Sequence, residues 1–441
     1  MSLAKRLLLP HALRARGRII RLTIAIPLAL AAALAPARAP ADEAPLGDHA
    51  ARTVVVLVFG GLAPALLASV PAPAFDRLRR EGSFTSRLVP AFPTVSLVNG
   101  FTLSTGCWPE RHGIVSNVFL DPKRGRYDHS ADADWTTGCE GMHQAAERQG
   151  VRAAALGWYG AYSGSKGAQA TVVSEGRTFA EYPPDDVRAQ EMTRLLRLAP
   201  TQRPRLVLAY FKGPDAAEHF EDADSEAAKQ AAAAADASAG AVLAAIDAMP
   251  DRDRVSLVVT TDHGMRPVTT LVNLRKILAN HDIAARSVAS GTTALLYFDD
   301  PSQVERARDE LARYDALEVF RPAAAPAWAH IGRSPRAGDL VVSARPPYVI
   351  EDAEHGPAWA RWIERWGPEL LWARFSLKAS HGYPPDTPGV EGVLYARGSG
   401  IAKGRELPSL RAIDLHPTVL HLLSLAPGRP VDGRVAAELL E

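Results

Sequence analysis

Apolar residues fall in two spacings along this chain. Thr53 to Phe59 (TVVVLVF), Arg205 to Phe211 (RLVLAYF) and Val255 to Thr260 (VSLVVT) are near-continuous apolar runs rich in β-branched residues. A strand with one wet face alternates apolar and polar positions, whereas a strand covered on both faces does not, so these runs suit a buried parallel sheet. Between them, Phe75 to Glu81 (FDRLRRE) has helical spacing, and the Ala-rich stretch 225–249 places Val242, Leu243 and Ile246 on one helical face. Strands alternating with helices predict an α/β fold with a mainly parallel sheet flanked by helices. Ligands in such sheets bind outside the carboxyl ends of the strands, which directs attention to the loops after Phe59, Phe211 and Thr260.

The pattern changes over residues 266–375. An αβ unit at Ala294 to Leu311, Pro-rich loops and a Trp-bearing helical stretch at Ala358 to Phe375 read as an inserted smaller subdomain that returns to the sheet before His381. Trp359, Trp362 and Trp366 share one helical face, which reads as packing of the insertion, with a cover over a base or lipid substituent as the alternative. Asp414 to Leu425 (DLHPTVLHLLSL) predicts a C-terminal helix on the sheet, with His416 and His421 as structural residues. No repeat of fixed period is present.

Composition alters this picture at one end. The chain has 441 residues, with 50 Lys+Arg and 49 Asp+Glu. Seven of the basic residues and none of the acidic ones fall in 1–39, which leaves a net charge of −6 on the remainder. A mildly acidic body argues against binding a nucleic-acid polymer. Residues 1–39 read as a signal peptide: a basic start, the uncharged stretch Leu22 to Ala37, and small residues at Ala37-Arg38-Ala39 and Ala39-Pro40-Ala41 for cleavage. An uncleaved N-terminal anchor is the alternative. The leader has no Arg-Arg pair, which favours the general secretory route. No later stretch approaches 18 apolar residues, so no stable membrane span is expected after cleavage, and the mature chain, 40–441, is expected to be periplasmic or secreted. Export permits a disulfide between Cys107 and Cys139, and two separate buried cysteines are equally compatible with the sequence.

Polar groups collect where the topology predicts a site. Asp215 and His219 in GPDAAEHF lie just past the strand ending at Phe211, and their i, i+4 spacing puts both on one helical face. Asp262 and His263 in TTDHGM follow the next strand; both serve one site only if the backbone turns, which Gly264 permits. His381 stands in ASHGYPP and Ser96 in FPTVSLVNGF, near Asn99. Two Asp and three His with a hydroxyl make an oxygen/nitrogen ligand set suited to zinc or a similar divalent ion.

Together these stretches resemble the nucleotide pyrophosphatase/phosphodiesterase family of the alkaline phosphatase superfamily. AFDRLRREGSFTSRLVPAFPTVSLVNGFTLSTGCWPERHGIVSN, YFKGPDAAEHF, VSLVVTTDHGM, PAWAHIGRSPRAGDLVV and SHGYPPDTPGVEGVLYARGSGI carry the likeness, GCWPERHGIVSN and TTDHGM most specifically. The resemblance implies an alkaline-phosphatase-like sandwich and an exported hydrolase of phosphodiester or pyrophosphate bonds acting on a small phosphate ester. It places Ser96 at the nucleophile position, where the family usually has Thr, and Asn99 where a phosphoryl oxygen is held. Asp215, His219 and His381 fall at the ligands of one ion, and Asp262, His263 and the Ser96 hydroxyl at those of a second. The implied cofactor is thus a pair of divalent ions, zinc by ligand type. His112 in PERHGI matches a family motif but reads as a structural loop residue.

One departure stands out. The family's metal-binding Asp after the first strand is Gly60 here, in Phe59-Gly60-Gly61. Val98 and Gly100 also depart from the usual residues beside Ser96. Water or another carboxylate fills the missing ligand position, or the site runs with one firmly bound ion, or activity is lost and the chain is a binding protein. A phosphomonoesterase or sulfatase on the same metal framework is a further alternative. Lys123, Arg124 and Arg126 form a small basic cluster that reads as solvated surface, or as an attractor of anionic substrate.

Overall fold

The structure, a computed structural model, describes residues 52–162, 167–174, 181–332, 334–350 and 378–441. The leader and the Trp-bearing stretch of the insertion lie outside the described residues. The large sheet has nine strands among them. In chain order these are β1 (Thr53–Phe59), β2 (Ser83–Val89), β3 (Ala153–Leu156), β4 (Val172–Val173), β5 (Leu206–Phe211), β6 (Val255–Thr261), β7 (Gly392–Gly398), β8 (Arg405–Glu406) and β9 (Leu410–Arg411). Their order across the sheet is β8-β2-β7-β6-β1-β5-β3-β4, with β9 also paired to β2. Only β7 runs antiparallel to its neighbours β2 and β6. The three long apolar runs are β5, β1 and β6, side by side and parallel at the centre.

Their sequence explains their position. Val54, Val56 and Val58 point to one face of the sheet, Val55, Leu57 and Phe59 to the other, and all six are fully buried. The first face is covered by helices α2 (Ser96–Thr105), α3 (Met142–Arg148) and α7 (Leu415–Leu422); the second by α1 (Pro73–Glu81), α4 (Asp185–Leu196) and α6 (Glu226–Asp247). A short helix, α5 (Asp215–Glu221), follows β5. The Ala-rich stretch is thus one 22-residue helix, Ser225 capping its start. Its small side chains let it lie close on the sheet. Its buried Asp236 accepts hydrogen bonds from Ala74 N and Phe75 N, at 2.9 and 3.0 Å, and so satisfies the first turn of α1, which has no cap of its own.

Between Arg266 and Ile350 the chain leaves this sheet. It builds a four-stranded antiparallel sheet from Arg286–Ser290, Thr293–Tyr297, Leu317–Phe320 and Leu340–Ala344, with a separate apolar core that includes Leu296, Leu311 and Val342. Buried Arg336 ties this part to the large domain: Nε meets Asp121 at 2.7 Å, and Nη1 donates to Gly113 O and Trp135 O at 2.7 and 2.6 Å. Cys107 and Cys139, 32 residues apart, form a disulfide. The bond holds the segment just after α2 to the loop before α3. Lys123 and Arg124 sit in a hairpin turn organised by Asp121, and the Arg124 guanidinium lies 3.8 Å over the Trp135 ring, so this residue is engaged locally rather than presented to a substrate.

Candidate active site

The register of the three central strands brings their ends level. Phe59 pairs with Phe211 on one side and Thr261 on the other, so Gly60, Lys212 and Asp262 leave the sheet together. The β1 and β5 loops are pressed close: a Cβ on Gly213 would lie 2.4 Å from Gly60 O, and one on Gly61 would lie 2.9 Å from Asp215 Cα. Asp185, at the start of α4, accepts from Lys212 N and Gly213 N at 2.8 and 2.9 Å and holds the turn that launches α5. Asp215 and His219 then share one face of α5, as their spacing predicts.

His381 arrives from the far end of the chain and completes a trio with them. His219 Nδ1 lies 2.8 Å from Ala379 O, and His381 Nδ1 lies 2.9 Å from Thr94 O. A carbonyl only accepts, so both rings carry their proton on Nδ1 and turn the Nε2 lone pair inward. Those two Nε2 atoms are 3.1 Å apart. Two facing acceptors at that distance call for a cation between them. Two nitrogens on a tetrahedral zinc with bonds of about 2.0–2.1 Å stand about 3.3 Å apart. Asp215 Oδ1 is 3.7 Å from His219 Nε2 and 3.5 Å from His381 Nε2, and it is buried without a hydrogen-bond partner. These residues fit a divalent ion held by three protein ligands, with a fourth position open. His381 is held neutral: burial, then the neighbouring His263 and His219, lowers its pKa well below the usual imidazole range.

Ser96 opens α2, where the unpaired N–H groups of a helix start favour an anion. Its Oγ is 3.0 Å from His263 Nε2, and His263 Nδ1 donates to Gly264 O at 3.0 Å, leaving Nε2 as the acceptor of the Ser96 proton. The chain bends at Asp262, and Gly264 is closely packed, since a Cβ there would lie 2.4 Å from Gly389 O. Asp262 Oδ1 accepts from Gly61 N and His263 N at 3.1 and 2.9 Å, while Oδ2 lies 3.6 Å from His263 Nε2. The His263 and His381 rings stack 3.8 Å apart, so the two ligand groups adjoin.

Asn99 is placed differently from the expectation. Its Oδ1 accepts from Ala91 N at 2.7 Å, and Nδ2 lies 3.1–3.4 Å from the carbonyls of Ala91, Pro93 and Val95. With its donors committed to backbone, the carboxamide positions the loop that carries Ser96 rather than offering a free donor to a phosphoryl oxygen. His112 is buried at 3.1 Å from Thr102 Oγ1, with Nδ1 accepting from Ile114 N, in agreement with a structural role.

A pair of tyrosines and a glutamate that sequence reasoning passed over shape the site. A Cβ on Gly60 would stand 2.3 Å from the Tyr210 hydroxyl, so that phenol occupies the space of the missing side chain. Tyr210 Oη approaches Asp262 Oδ2 at 3.5 Å. Tyr159 stacks edge-on against Tyr210 and would lie 2.3 Å from a Cβ on Gly100. Gly60 and Gly100 thus make room for this pair of tyrosines. The glutamate is Glu218, 1% exposed, whose Oε2 lacks a hydrogen-bond partner. Burial first, then the charges of Asp215 and Asp262, pushes its pKa up to about 9. Tyr210 was hidden inside an apolar run that reads as core; Glu218 is i+3 from Asp215, a signal that the helical face offered.

A central parallel sheet flanked by helices, with a cluster of His and Asp side chains and an adjacent hydroxyl at its carboxyl end, defines an alkaline-phosphatase-like fold. Residues 54–384 match the family described as type I phosphodiesterase / nucleotide pyrophosphatase, and the chain belongs to that family. It is 24% identical to human ectonucleotide pyrophosphatase/phosphodiesterase family member 7, over 90% of this chain and 85% of that protein. An ectonucleotide pyrophosphatase/phosphodiesterase of Caenorhabditis elegans is 24% identical over 84% of this chain, which spans only 47% of the worm protein's length. In fold, murine ectonucleotide pyrophosphatase/phosphodiesterase 5 matches with a TM-score of 0.76 at 20% identity, covering 88% of this chain and all of that one. An inactive form of the same murine protein, solved in complex with AMP, matches equally well, with a TM-score of 0.76.

Proposed function

We propose that this protein is an exported, metal-dependent hydrolase of phosphodiester or pyrophosphate bonds in small phosphate esters such as nucleotides, working through a phospho-Ser96 intermediate. The observation that carries this reading is the Ser96 hydroxyl hydrogen-bonded to His263 beside the three inward-facing ligand atoms of Asp215, His219 and His381. Ser96 Oγ attacks phosphorus as its proton passes to solvent, the P–O bond to the leaving alcohol or phosphate breaks, and water then cleaves the phospho-Ser96 ester. Asp215, His219 and His381, with Asp262 and His263 beside them, would hold divalent ions, zinc by ligand type, whose positive charge would favour the reaction at phosphorus. The start of α2 adds its partial positive charge at the same place. Asn99 and the Thr94–His381 hydrogen bond fix the loop that aims Ser96. Export accords with the basic leader, the Cys107–Cys139 bond and the ectoenzyme names of the relatives. The large and small sheets support residues 266–375 as an inserted region whose loops select the substrate's alcohol side.

The test is hydrolysis of bis(4-nitrophenyl) phosphate against 4-nitrophenyl phosphate and 4-nitrophenyl sulfate by the zinc-loaded protein. The diester should be preferred, and Ser96→Ala should lower kcat on the order of a thousandfold or more. A preference for monoester or sulfate ester would move the assignment within the superfamily. Tyr210 in the space beside Gly60 favours a second reading, a binding protein that keeps the fold and the first ion; bound zinc without turnover of any ester would establish it.

A further inference from the structure

The two candidate ligand groups differ in how their polar atoms are satisfied. In the first, the Nε2 atoms of His219 and His381 face each other as acceptors at 3.1 Å, and the buried Asp215 Oδ1 has no hydrogen-bond partner. Buried acceptors left unpaired are costly, and one cation relieves all three at once. In the second group the atoms find partners within the protein. Asp262 Oδ1 accepts from Gly61 N and His263 N at 3.1 and 2.9 Å, and the Tyr210 hydroxyl stands 3.5 Å from Oδ2. His263 Nδ1 donates to Gly264 O and Nε2 accepts from Ser96 Oγ, each at 3.0 Å. An ion binding here has to break the Ser96–His263 hydrogen bond first. The second group is also short of charge. Gly60 has no carboxylate where the family pattern has one, and a Cβ there would lie 2.3 Å from Tyr210 Oη and 2.8 Å from Lys212 O. A neutral phenol and a backbone carbonyl fill that space, so Asp262 is the one carboxylate of its set. Among the described residues, only Asp215, His219 and His381 form a trio of His and Asp whose ligand atoms lie within 4.8 Å of one another.

We infer that the two ion positions are unequal by construction: Asp215, His219 and His381 hold one divalent ion tightly, and the group of Asp262, His263 and Ser96 binds a second only weakly. The chain therefore carries one firmly bound ion. The Gly60–Tyr210 pair sets this inequality, because the phenol closes the place from which a second carboxylate would reach the ion. This inference rests on the proposed metal-dependent reading, but its readout is ion binding and does not require turnover.

The experiment is equilibrium dialysis of the full mature chain against graded free zinc, with metal content by elemental analysis and affinities by titration calorimetry. The wild type should take up one zinc ion tightly and a second only at free zinc at least about a hundredfold higher, since even outer partners of metal ligands cost about 10–100-fold and a direct ligand is missing here. His219→Ala should remove the tight ion, and Asp262→Asn should leave it in place. Gly60→Asp with Tyr210→Ala, which returns a carboxylate and clears its space, should tighten the second ion at least about tenfold. The wild-type titration decides the matter even where a variant fails to fold: two ions of comparable affinity overturn the inference. Loss of the tight ion in a folded Asp262→Asn overturns it as well. One tight zinc with diester hydrolysis supports both the inference and the reading beneath it. One tight zinc without hydrolysis of any ester sinks the proposed activity alone, and no bound zinc sinks both.

Discussion

The Nε2 atoms of His219 and His381 face one another across 3.1 Å while both Nδ1 atoms lie at hydrogen-bonding distance from backbone carbonyls. Neither ring can turn to relieve the other without losing its carbonyl. The protein should therefore be more stable with an ion than without one. Chelator-treated protein should melt at a lower temperature, and zinc at a hundredfold excess over its Kd should restore about 2.7 kcal/mol. His381→Ala should abolish the zinc-dependent part of the shift. An identical thermal midpoint with and without zinc would count against the ion site.

A different set of histidines sets the behaviour in acid. Burial lowers His112 to about 3 and both His143 and His416 to about 4. The unfolded chain takes up these protons near pH 6.5 and the folded chain does not, so stability falls as pH drops below about 6.5 and the loss levels off near pH 3–4. Each group is worth on the order of 3 kcal/mol at the acid end of that window. Urea unfolding of metal-free protein should show midpoints dropping between pH 7 and pH 5. A flat profile over that range would contradict the burial of these rings.

The Gly60–Tyr210 fit predicts that adding only a side chain at position 60 is harmful. Gly60→Ala should destabilise the protein by about 1–3 kcal/mol, an overpacking cost. Tyr210→Phe removes the nearest obstructing atom and should recover part of it, and a double-mutant cycle would report coupling between the two sites. Gly60→Asp alone should accordingly not raise metal content, because the phenol stands in the way.

Arg336 meets Asp121 with both side chains under 10% exposed. Arg336→Met should cost about 3–5 kcal/mol, chiefly by leaving Asp121 buried without its partner. Asp121→Asn, which removes the opposite charge but keeps a hydrogen-bond acceptor, should cost less. Chemical denaturation of the two variants would check the order.

The sequence shows most where burial is two-sided. TVVVLVF can hardly be anything but a covered strand, and the ends of such strands carry Asp262 and lead into Asp215, so the place of the candidate site is legible from position. The edge of the sheet was not: Ser83–Val89 mixes exposed Ser86 and Arg87 with buried residues, and Gly392–Gly398 begins and ends in glycine, so neither announces itself as a strand. Asn99 misled because a motif position says which residue stands there, not which neighbours consume its hydrogen bonds. Gly60 was visible as a loss. The tyrosine that fills it and the glutamate that stands opposite belong to a strand and a helix whose packing on Gly60 and Gly61 only the folded chain displays.

The Cys107–Cys139 bond bears on which donor atoms the chain could offer a metal ion. Free thiolates are softer ligands than imidazole or carboxylate and compete well for zinc. Here the two thiols are spent on each other, and the donors at the ends of β5 and β6 are nitrogen and oxygen. A divalent ion entering this site would meet no competing thiolate from the chain.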